Sequence, residues 1–329
     1  MKIAVLLFNL GGPENLRAVR PFLFRLFNDP SIFLLPQPFR CVLAYLLAHY
    51  RSRKAQKIYK KAGGFSPLLK NTEEQARALE KELKSLGDVR CFVGMRYAAP
   101  FIKESWEKIK KFDPDIVVQL PLYPQYSTTT TGSSLKESKR QQHTAIPVKT
   151  IESYPDLRGF IETQARAIRT AYSDASSFGN PVVLFSAHGL PEKIVRRGDP
   201  YPKQCEKTVR ALIDALGKPH VDTVLCYQSR VGPMKWIGPE TKSEIINAGQ
   251  TKRPIIVVPI SFVSEQTETL VEIDQEYRTL ANKTGVPCFI RTPACGTADV
   301  FIKGLADLVR EAFEGRKPDN AEEGGKALS

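Results

Sequence analysis

The chain lacks several features that would assign it quickly to a class of protein. No run of about eighteen apolar residues predicts a membrane-spanning helix. The six cysteines include no CxxC pair, and several lie in apolar runs. This usage favours reduced thiols in a cytoplasmic protein over a disulfide framework or a cysteine metal site. Lys and Arg are dispersed without a nucleic-acid-binding motif, so we expect no nucleic-acid partner.

The composition that is present describes an ordinary globular protein with a basic surface. With 329 residues and 42% hydrophobic content, the chain can form one large or two medium domains. The net charge of +13 fits an anionic small substrate and an anionic membrane surface equally well. Peripheral membrane association therefore stays open beside a cytoplasmic location.

Short apolar segments alternate with helical stretches along the chain. The predicted strands are residues 3–8, 89–93, 116–120, 182–186, 223–226, 255–258 and 287–290. This alternation is typical of parallel sheets in α/β proteins. Two pairs of segments also resemble each other, 5–13 with 183–191 and 116–134 with 255–269. We therefore expect two similar lobes, residues 1–150 and 151–314, with parallel sheets flanked by helices and a cleft between them.

Residues 21–50 are rich in Phe and Leu and broken by prolines, and a basic run follows at 51–61. The segment fits a packed helical hairpin followed by a solvated basic helix. It fits equally an apolar lip around a pocket, which contacts a bilayer while the basic residues meet lipid head groups. The carboxyl end, 315–329, is Gly-rich and charged without periodicity, and is expected to be a disordered tail.

Among the histidines, His188 has the position most typical of an active site. It follows strand 182–186, where the chain turns through Gly189, and open α/β sheets bind ligands at the carboxyl ends of strands. Its imidazole can act as a base near neutral pH or as a transition-metal ligand, although a single loop histidine is more often structural. Structural or solvated roles are expected for His49, His143 and His220.

Acidic residues follow the strand at 255–258. Glu265, Glu268, Glu272 and Glu276 lie three, four and four residues apart, so on a helix their carboxylates form one stripe. Such a stripe is usually a solvated helix face. This one begins at the carboxyl end of a strand in a basic chain, at the place that matches His188 in the other apolar run. We therefore interpret it together with His188 as a base-plus-acid constellation.

Seven motifs occur along the chain in a fixed order. They are NLGGPENL, GGFSPL, GMRY, LYPQYSTTTTGSSL, FSAHGLPEKIVRRGDPYP, YQSRVGPMKWIGP and PISFVSEQTETLVEIDQEY. In these motifs the chain resembles the ferrochelatase family, enzymes that insert ferrous iron into a porphyrin to make haem. The resemblance runs from Asn9 to about Arg310. It implies two Rossmann-like lobes that grip the macrocycle in the cleft between them, with ferrous iron and protoporphyrin IX as substrates.

The resemblance also implies roles for individual residues. His188 matches the family's active-site histidine, and Glu268 matches the glutamate that faces it. Glu272 and Glu276 match an acidic row on a helix with a π-type turn, a path for protons or metal. The positions that line the pocket are Leu10, Arg96, Tyr97, Tyr123, Trp236 and Phe262. The positions that contact the porphyrin propionates are Arg51, Lys54 and Ser66.

Two positions depart from the family pattern. Gln266 stands where many relatives carry a histidine, and a neutral amide is no base and a poor metal ligand. More of the chemistry then depends on His188 and Glu268. Thr128 stands where animal-type members have a cysteine, and no cysteine follows Cys295. We therefore expect no iron–sulfur cluster and no permanently bound cofactor.

Leu10 and the motifs YPQYSTTTTGSS and RGDPYP favour a bacterial-type enzyme that uses protoporphyrin, for the final step of haem synthesis. A coproporphyrin-using enzyme is the first alternative. A non-catalytic carrier of porphyrin or metal with the same cleft is the second, and Gln266 keeps it open. The sequence leaves open the oligomeric state, the iron donor, and which of His188 and Glu268 accepts protons.

Overall fold

Two parallel four-stranded sheets form the framework in residues 1–217 and 221–314, the ranges that the computed structural model describes. The strands of the first sheet are β1 (Lys2–Asn9), β2 (Asp88–Met95), β3 (Ile116–Pro121) and β4 (Val148–Thr150). The strands of the second sheet are β5 (Val182–His188), β6 (Asp222–Gln228), β7 (Ile255–Pro259) and β8 (Phe289–Arg291). The strand orders are β2-β1-β3-β4 and β6-β5-β7-β8, so the two sheets have equivalent topology. The expected pair of α/β lobes is confirmed.

The repeats seen in the sequence correspond to equivalent strands. Strand β1 has the same position in the first sheet as β5 in the second, and β3 has the same position as β7. The predicted strand segments agree with the observed ones within a few residues, but β4 was missed. It has only three residues, and Lys149 and Thr150 are exposed, so it lacks the apolar run by which buried strands are identified.

Helices connect the strands. They are α1 (Val19–Phe27), α2 (Phe39–Lys61), α3 (Leu68–Glu82), α4 (Ile102–Phe112), α5 (Thr131–Gln141), α6 (Arg158–Ser176), α7 (Glu192–Val195), α8 (Tyr201–Leu216), α9 (Thr241–Gln250), α10 (Arg278–Thr284) and α11 (Asp299–Glu314). A 3₁₀ turn spans Lys84–Leu86, and a π-helix spans Glu268–Tyr277.

Alternate residues of β1 face opposite sides of the first sheet. Ile3, Val5 and Leu7 join a core with α3, whereas Leu6 and Phe8 join a separate core with α4. The second sheet is arranged in the same way, and its inner-face residues join the core that contains α3. Burial on both faces explains why the central strands are nearly continuous apolar runs.

The two lobes share one core through α6 and α11. Helix α6 contacts β7 and β8 of the second sheet, while α11 contacts α3, β3 and β4 of the first. Helix α11 thus packs on the first sheet although it lies in the second half of the sequence. Side chains of α3 also reach across, since Asn71 Nδ2 donates to Glu265 O at 2.8 Å and Gln75 Nε2 to Val263 O at 3.0 Å. The lobe boundary at residue 150 stays a prediction, and the expected tail at 315–329 lies outside the described residues.

Helices α1 and α2 pack against each other as a hairpin, which agrees with one interpretation of residues 21–50. The hairpin is nevertheless apolar on its outside. Its exposed apolar side chains, which we call the lip surface, are Leu34, Leu35, Phe39, Val42, Tyr45, Leu46 and Tyr50. Residues 30–72 contain no Asp or Glu. None of the helices in the described ranges combines the length and apolarity that a bilayer span requires.

A glycine allows the close crossing of α6 and α11. A Cβ atom at Gly159 would overlap the carbonyl oxygen of Val300 and lie 3.2 Å from Gly304 Cα. We expect Gly159→Ala to lower the free energy of unfolding by about 2 kcal/mol, because backbone must shift to admit the methyl group. Gly304→Ala is the matched control. The atom nearest to a Cβ at this position is 3.2 Å away, so the loss of unfolding free energy should be smaller. Urea unfolding measures both, and a Gly159→Ala protein as stable as the parent contradicts this packing.

Candidate active site

His188 is the last residue of β5, and it lies among aromatic side chains. Its ring meets Phe262 edge-on, with centroids 6.1 Å apart. The next residue, Gly189, donates its N–H to Gln228 O at 2.8 Å, and a Cβ there would come within 3.3 Å of the Trp236 ring. Glycine therefore allows Trp236 to pack against the turn that follows His188, while Phe262 contacts the histidine ring itself.

Burial lowers the pKa of His188 below its ordinary value, and the nearby charge of Glu272 partly opposes this. The imidazole is therefore neutral at physiological pH. A neutral imidazole offers a nitrogen lone pair that can accept a proton or contact a metal ion.

Glu268 begins the π-helix that follows β7, so the π-type turn implied by the family resemblance is confirmed. Burial raises the pKa of Glu268 to about 7, and the charge of Glu272 adds to the shift. Near neutral pH this carboxyl group is therefore poised to take up or release a proton. Its oxygens and the His188 ring are the groups here that could contact a metal ion; in the described residues, no cluster of three or more potential metal-binding side chains occurs.

Glu272 lies at the centre of a hydrogen-bond network. Its Oε1 accepts from Ser229 N at 2.9 Å and Tyr277 OH at 2.8 Å, and its Oε2 accepts from the Ser229 hydroxyl and from Gln228 Nε2 at 3.3 Å. Tyr277 follows Glu272 by five residues, the spacing that a π-helix places on one face. Ser229 has a left-handed backbone, φ 63°, which this carboxylate holds at both its N–H and its hydroxyl.

The predicted stripe of four glutamates does not form as a single helical row. The helix begins at Glu268, and Glu265 precedes it in an irregular segment. Glu265 Oε1 accepts from Arg291 Nη1 at 2.8 Å and from Ala294 N at 3.0 Å, which is a structural role. Glu276 lies at the surface and pairs with Lys61 of α2 at 3.7 Å. A path for protons or metal along Glu272 and Glu276 stays a prediction. The hydrogen bonds described for Glu272 fix that side chain in place.

Three of the predicted pocket residues, Leu10, Arg96 and Tyr97, lie in the first lobe, and we call them the wall. Backbone hydrogen bonds and a buried carboxylate hold them in place. Arg96 N donates to Asn9 O and Tyr97 N to Leu10 O, each at 2.9 Å. Leu10 is half-buried between two apolar clusters, and Tyr97 is fully buried. The Tyr97 hydroxyl and the Arg96 guanidinium both bind Asp29, a residue that the sequence reasoning missed.

Tyr123 is also buried, and burial raises its pKa well above the ordinary value. The Ser134 hydroxyl lies close to the Tyr123 hydroxyl and partly offsets this shift. Among the described residues, the indole nitrogen of Trp236 has no hydrogen-bond partner. Buried polar atoms normally have partners, so Trp236 keeps a donor available to a ligand or to water.

The predicted propionate contacts lie on α2 and the loop after it. The Arg51 guanidinium stacks on the Phe27 ring at 5.6 Å, and Lys54 is exposed. Ser66 N donates to Pro13 O at 2.9 Å. A Cβ at Gly12 would overlap the Ser66 hydroxyl, so glycine brings the first βα loop against this serine.

Tyr59 is a second residue that the sequence reasoning missed. Burial raises its pKa, and the charge of Glu268 raises it further, so the phenol lies near that carboxyl group. The signal in the sequence was an aromatic residue inside the basic run 51–61. Only the three-dimensional structure shows that this residue of α2 lies near the start of the π-helix.

Comparison with known proteins agrees with this geometry. The family model described as Ferrochelatase matches residues 2–313. The chain belongs to the ferrochelatase family. A ferrochelatase of Rickettsia felis is 49% identical over 311 residues, which is 94% of this chain and 89% of the relative. A ferrochelatase of Caulobacter vibrioides is 49% identical over 320 residues, 96% of this chain and 92% of the relative.

Among solved structures, the fold resembles SirB from Bacillus subtilis with Fe3+. The TM-score is 0.56 at 15% sequence identity, with coverage of 96% of this chain and 98% of SirB. A cobalt complex of a sirohydrochlorin chelatase SirB from the same species gives a TM-score of 0.54 at 14% identity. At this identity the likeness concerns the fold, and it supports the two-lobed arrangement of this ferrochelatase-family chain.

The raised pKa of Glu268 predicts a cost to stability. The folded protein holds this proton up to about pH 7, whereas the unfolded chain releases it near the ordinary glutamate pKa of 4.5, so stability falls as pH rises between the two values. Glu268→Gln removes the buried charge and should stabilise the protein at pH 8 by about 2 kcal/mol, with little effect at pH 5. Urea unfolding at both pH values tests this. Glu276→Gln, at an exposed site, is the control, and a Glu268→Gln protein no more stable than the parent at pH 8 contradicts the assignment.

Proposed function

We propose that this protein inserts ferrous iron into protoporphyrin IX and releases two protons, forming protohaem. One observation carries the proposal. A neutral imidazole lies at the end of β5 and a carboxyl group of pKa about 7 lies at the start of the π-helix after β7, and the charge of Glu272 acts on both. A free-base porphyrin must lose two pyrrole N–H protons as a dication enters, and such groups are suited to accept them. Membership of the ferrochelatase family supports this chemistry.

The residues suggest how the reaction proceeds. The macrocycle enters the cleft beside His188, where Phe262 and Trp236 supply flat apolar surfaces. Ferrous iron, a substrate, approaches the pyrrole nitrogens as His188 and the ionised Glu268 take up protons. Each pyrrole nitrogen that loses its proton forms a bond to iron. The two negative charges left on the macrocycle balance the two positive charges of the iron, and two protons are released. Aromatic and apolar contacts from the lip, Tyr123 and Trp236 would favour a bent macrocycle, in which a nitrogen lone pair points at the metal.

The wall of the first lobe supports protoporphyrin over coproporphyrin. Leu10 packs among apolar side chains of α1 and the first sheet, and an apolar wall suits a porphyrin edge without additional carboxylates. Arg51, Lys54 and Ser66 supply donors for the two propionates of protoporphyrin. Steady-state kinetics with both porphyrins compare the substrates, and a higher kcat/KM for coproporphyrin contradicts this choice.

We further propose that the enzyme works without a resident cofactor or iron–sulfur cluster. Thr128 serves a structural purpose here, because its hydroxyl donates to Asp199 at 2.6 Å and its N–H to the same oxygen at 2.8 Å. Metal analysis of the purified protein, with activity measured after chelation and re-addition of ferrous iron, tests this. Stoichiometric bound iron and sulfide would overturn it.

The catalytic assignment predicts the effect of two substitutions. His188→Ala and Glu268→Gln should each lower kcat by about a hundredfold or more, because each removes a proton acceptor. Formation of metalloporphyrin is followed anaerobically by absorbance with ferrous iron. A parent protein that binds porphyrin tightly but inserts no metal above the uncatalysed rate is the carrier considered from the sequence. Full turnover in both variants contradicts the site assignment.

The pH dependence follows from Glu268. If its ionised form accepts a proton, kcat/KM should rise as pH increases through about 7 and then level off. Glu107→Gln, at an exposed site on α4, should keep this profile. A kcat/KM that falls over the same range would show that the protonated form of Glu268 is the active one.

Finally, we propose that the lip surface contacts an anionic membrane peripherally. Phe39, Val42, Leu46 and Tyr50 are spaced along the outer side of α2, and residues 30–72 carry basic but no acidic side chains. Apolar insertion and attraction to anionic head groups would then act together.

Binding to lipid vesicles tests the membrane contact. Phe39→Ser should weaken binding to vesicles that contain phosphatidylserine by about tenfold, the effect of losing one inserted aromatic side chain. Phe178→Ser is the matched control, since Phe178 is an exposed aromatic residue just after α6 and is not part of the lip surface. Equal binding by both variants, or equal binding to neutral vesicles, contradicts the proposal.

A further inference from the structure

We infer that Asp29 is a positioning residue for porphyrin binding and that it acts through Arg96. The inference rests on the proposed function, in which Arg96 belongs to the porphyrin-facing wall. Asp29 follows α1, inside the segment that forms the lip, and it is 2% exposed. A carboxylate so deeply buried in an apolar hairpin requires partners, and those partners connect the lip to the wall.

The two oxygens of Asp29 have different tasks. Oδ1 accepts from Ser31 N at 2.7 Å and closes the local turn. Oδ2 accepts from Arg96 Nη2 at 2.7 Å, from Tyr97 OH at 2.8 Å and from the Ser133 hydroxyl. Burial alone would raise the pKa of Asp29, but the Arg96 charge and these hydrogen bonds keep it below its ordinary value. The carboxylate is therefore charged, and it binds residues of the β2–α4 loop and of α5.

These contacts give the Arg96 guanidinium one orientation. Its Nη2 binds Asp29, its Nε donates to Ser133 Oγ at 2.8 Å, and it lies over the Tyr97 ring at 5.1 Å. In the described ranges, no hydrogen bond to protein is found for Nη1. The Arg96 charge also acts on the buried Tyr123 hydroxyl. Asp29 thus aligns Arg96 beside another predicted pocket residue.

The same cluster joins the lip to the wall. Arg25 of α1 donates from Nη1 to Tyr97 O at 3.2 Å, and Phe22 meets the Tyr97 ring edge-on at 6.4 Å. Removing one partner of a buried ion pair leaves the other charge uncompensated, so Arg96 would turn away without Asp29. Both the orientation of Arg96 and the packing of α1 against the wall would change.

Asp29→Asn tests the inference, because it keeps the shape and removes the charge. We expect the Kd for protoporphyrin, measured by fluorescence quenching without iron, to rise about tenfold, and the KM for porphyrin to rise in parallel. The kcat should stay within about twofold, since His188 and Glu268 are untouched. An unchanged Kd overturns the inference.

Asp199→Asn is the matched control for loss of a buried carboxylate. Asp199 is 6% exposed and accepts from neutral groups, namely Ser127, Thr128 and the Tyr201 backbone. This variant should lower the Tm while leaving the porphyrin Kd unchanged. A Kd that rises in both variants to the same degree shows a general loss of packing and overturns a specific role for Asp29.

A double-substitution cycle tests whether Asp29 acts through Arg96. In an Arg96→Met protein, Asp29→Asn should add no further rise in Kd, whereas independent effects would multiply and overturn the inference. Ser133→Ala, which keeps the ion pair but removes its bridging hydroxyl, should raise the Kd about threefold and replaces Asp29→Asn if that variant does not fold. Porphyrin binding is measured without turnover, so a parent protein that binds porphyrin but inserts no iron contradicts the proposed function and leaves this test intact.

Discussion

The rest of the site depends on the hydrogen bonds and the charge of the Glu272 carboxylate. It joins the end of β6 to the π-helix, because Ser229 and Gln228 donate to it from one side and Tyr277 from the other. Its negative charge also acts on both His188 and Glu268. This one carboxylate therefore maintains the shape of the site, and its charge raises the proton affinity of both groups in addition to the effect of their burial. A mobile carboxylate could not do both.

The two lobes have the same topology but divide the chemistry between them. The second lobe supplies His188 from the end of β5 and, after β7, the half-buried Glu268. The equivalent strands of the first sheet lead to Leu10 and Tyr123, which offer an apolar wall and a buried hydroxyl. The same βα framework thus occurs twice, and the residues at matching strand ends differ between the two lobes.

Much of this arrangement could be predicted from the sequence, because it depends on local patterns. Buried strands such as β5 and β7 are continuous apolar runs, and the turn after His188 is visible in the residues that follow. Asp29, Tyr59 and Ser229 could not be found in the same way. Each acts on a residue far along the chain, Asp29 on Arg96 and Ser229 on Glu272, so their roles depend on tertiary contacts. The start of the acidic helix was missed for a similar reason, since Arg291 draws Glu265 out of it.

The packing of α11 has a consequence for synthesis of the chain. The first sheet is made early, but α11, the last described helix, is what contacts β3 and β4 on its inner face. Until residues 299–314 have left the ribosome, that apolar face has no complete cover. The first lobe therefore cannot complete its core ahead of the second, and the nascent chain must keep this hydrophobic surface from aggregating until α11 has been synthesised.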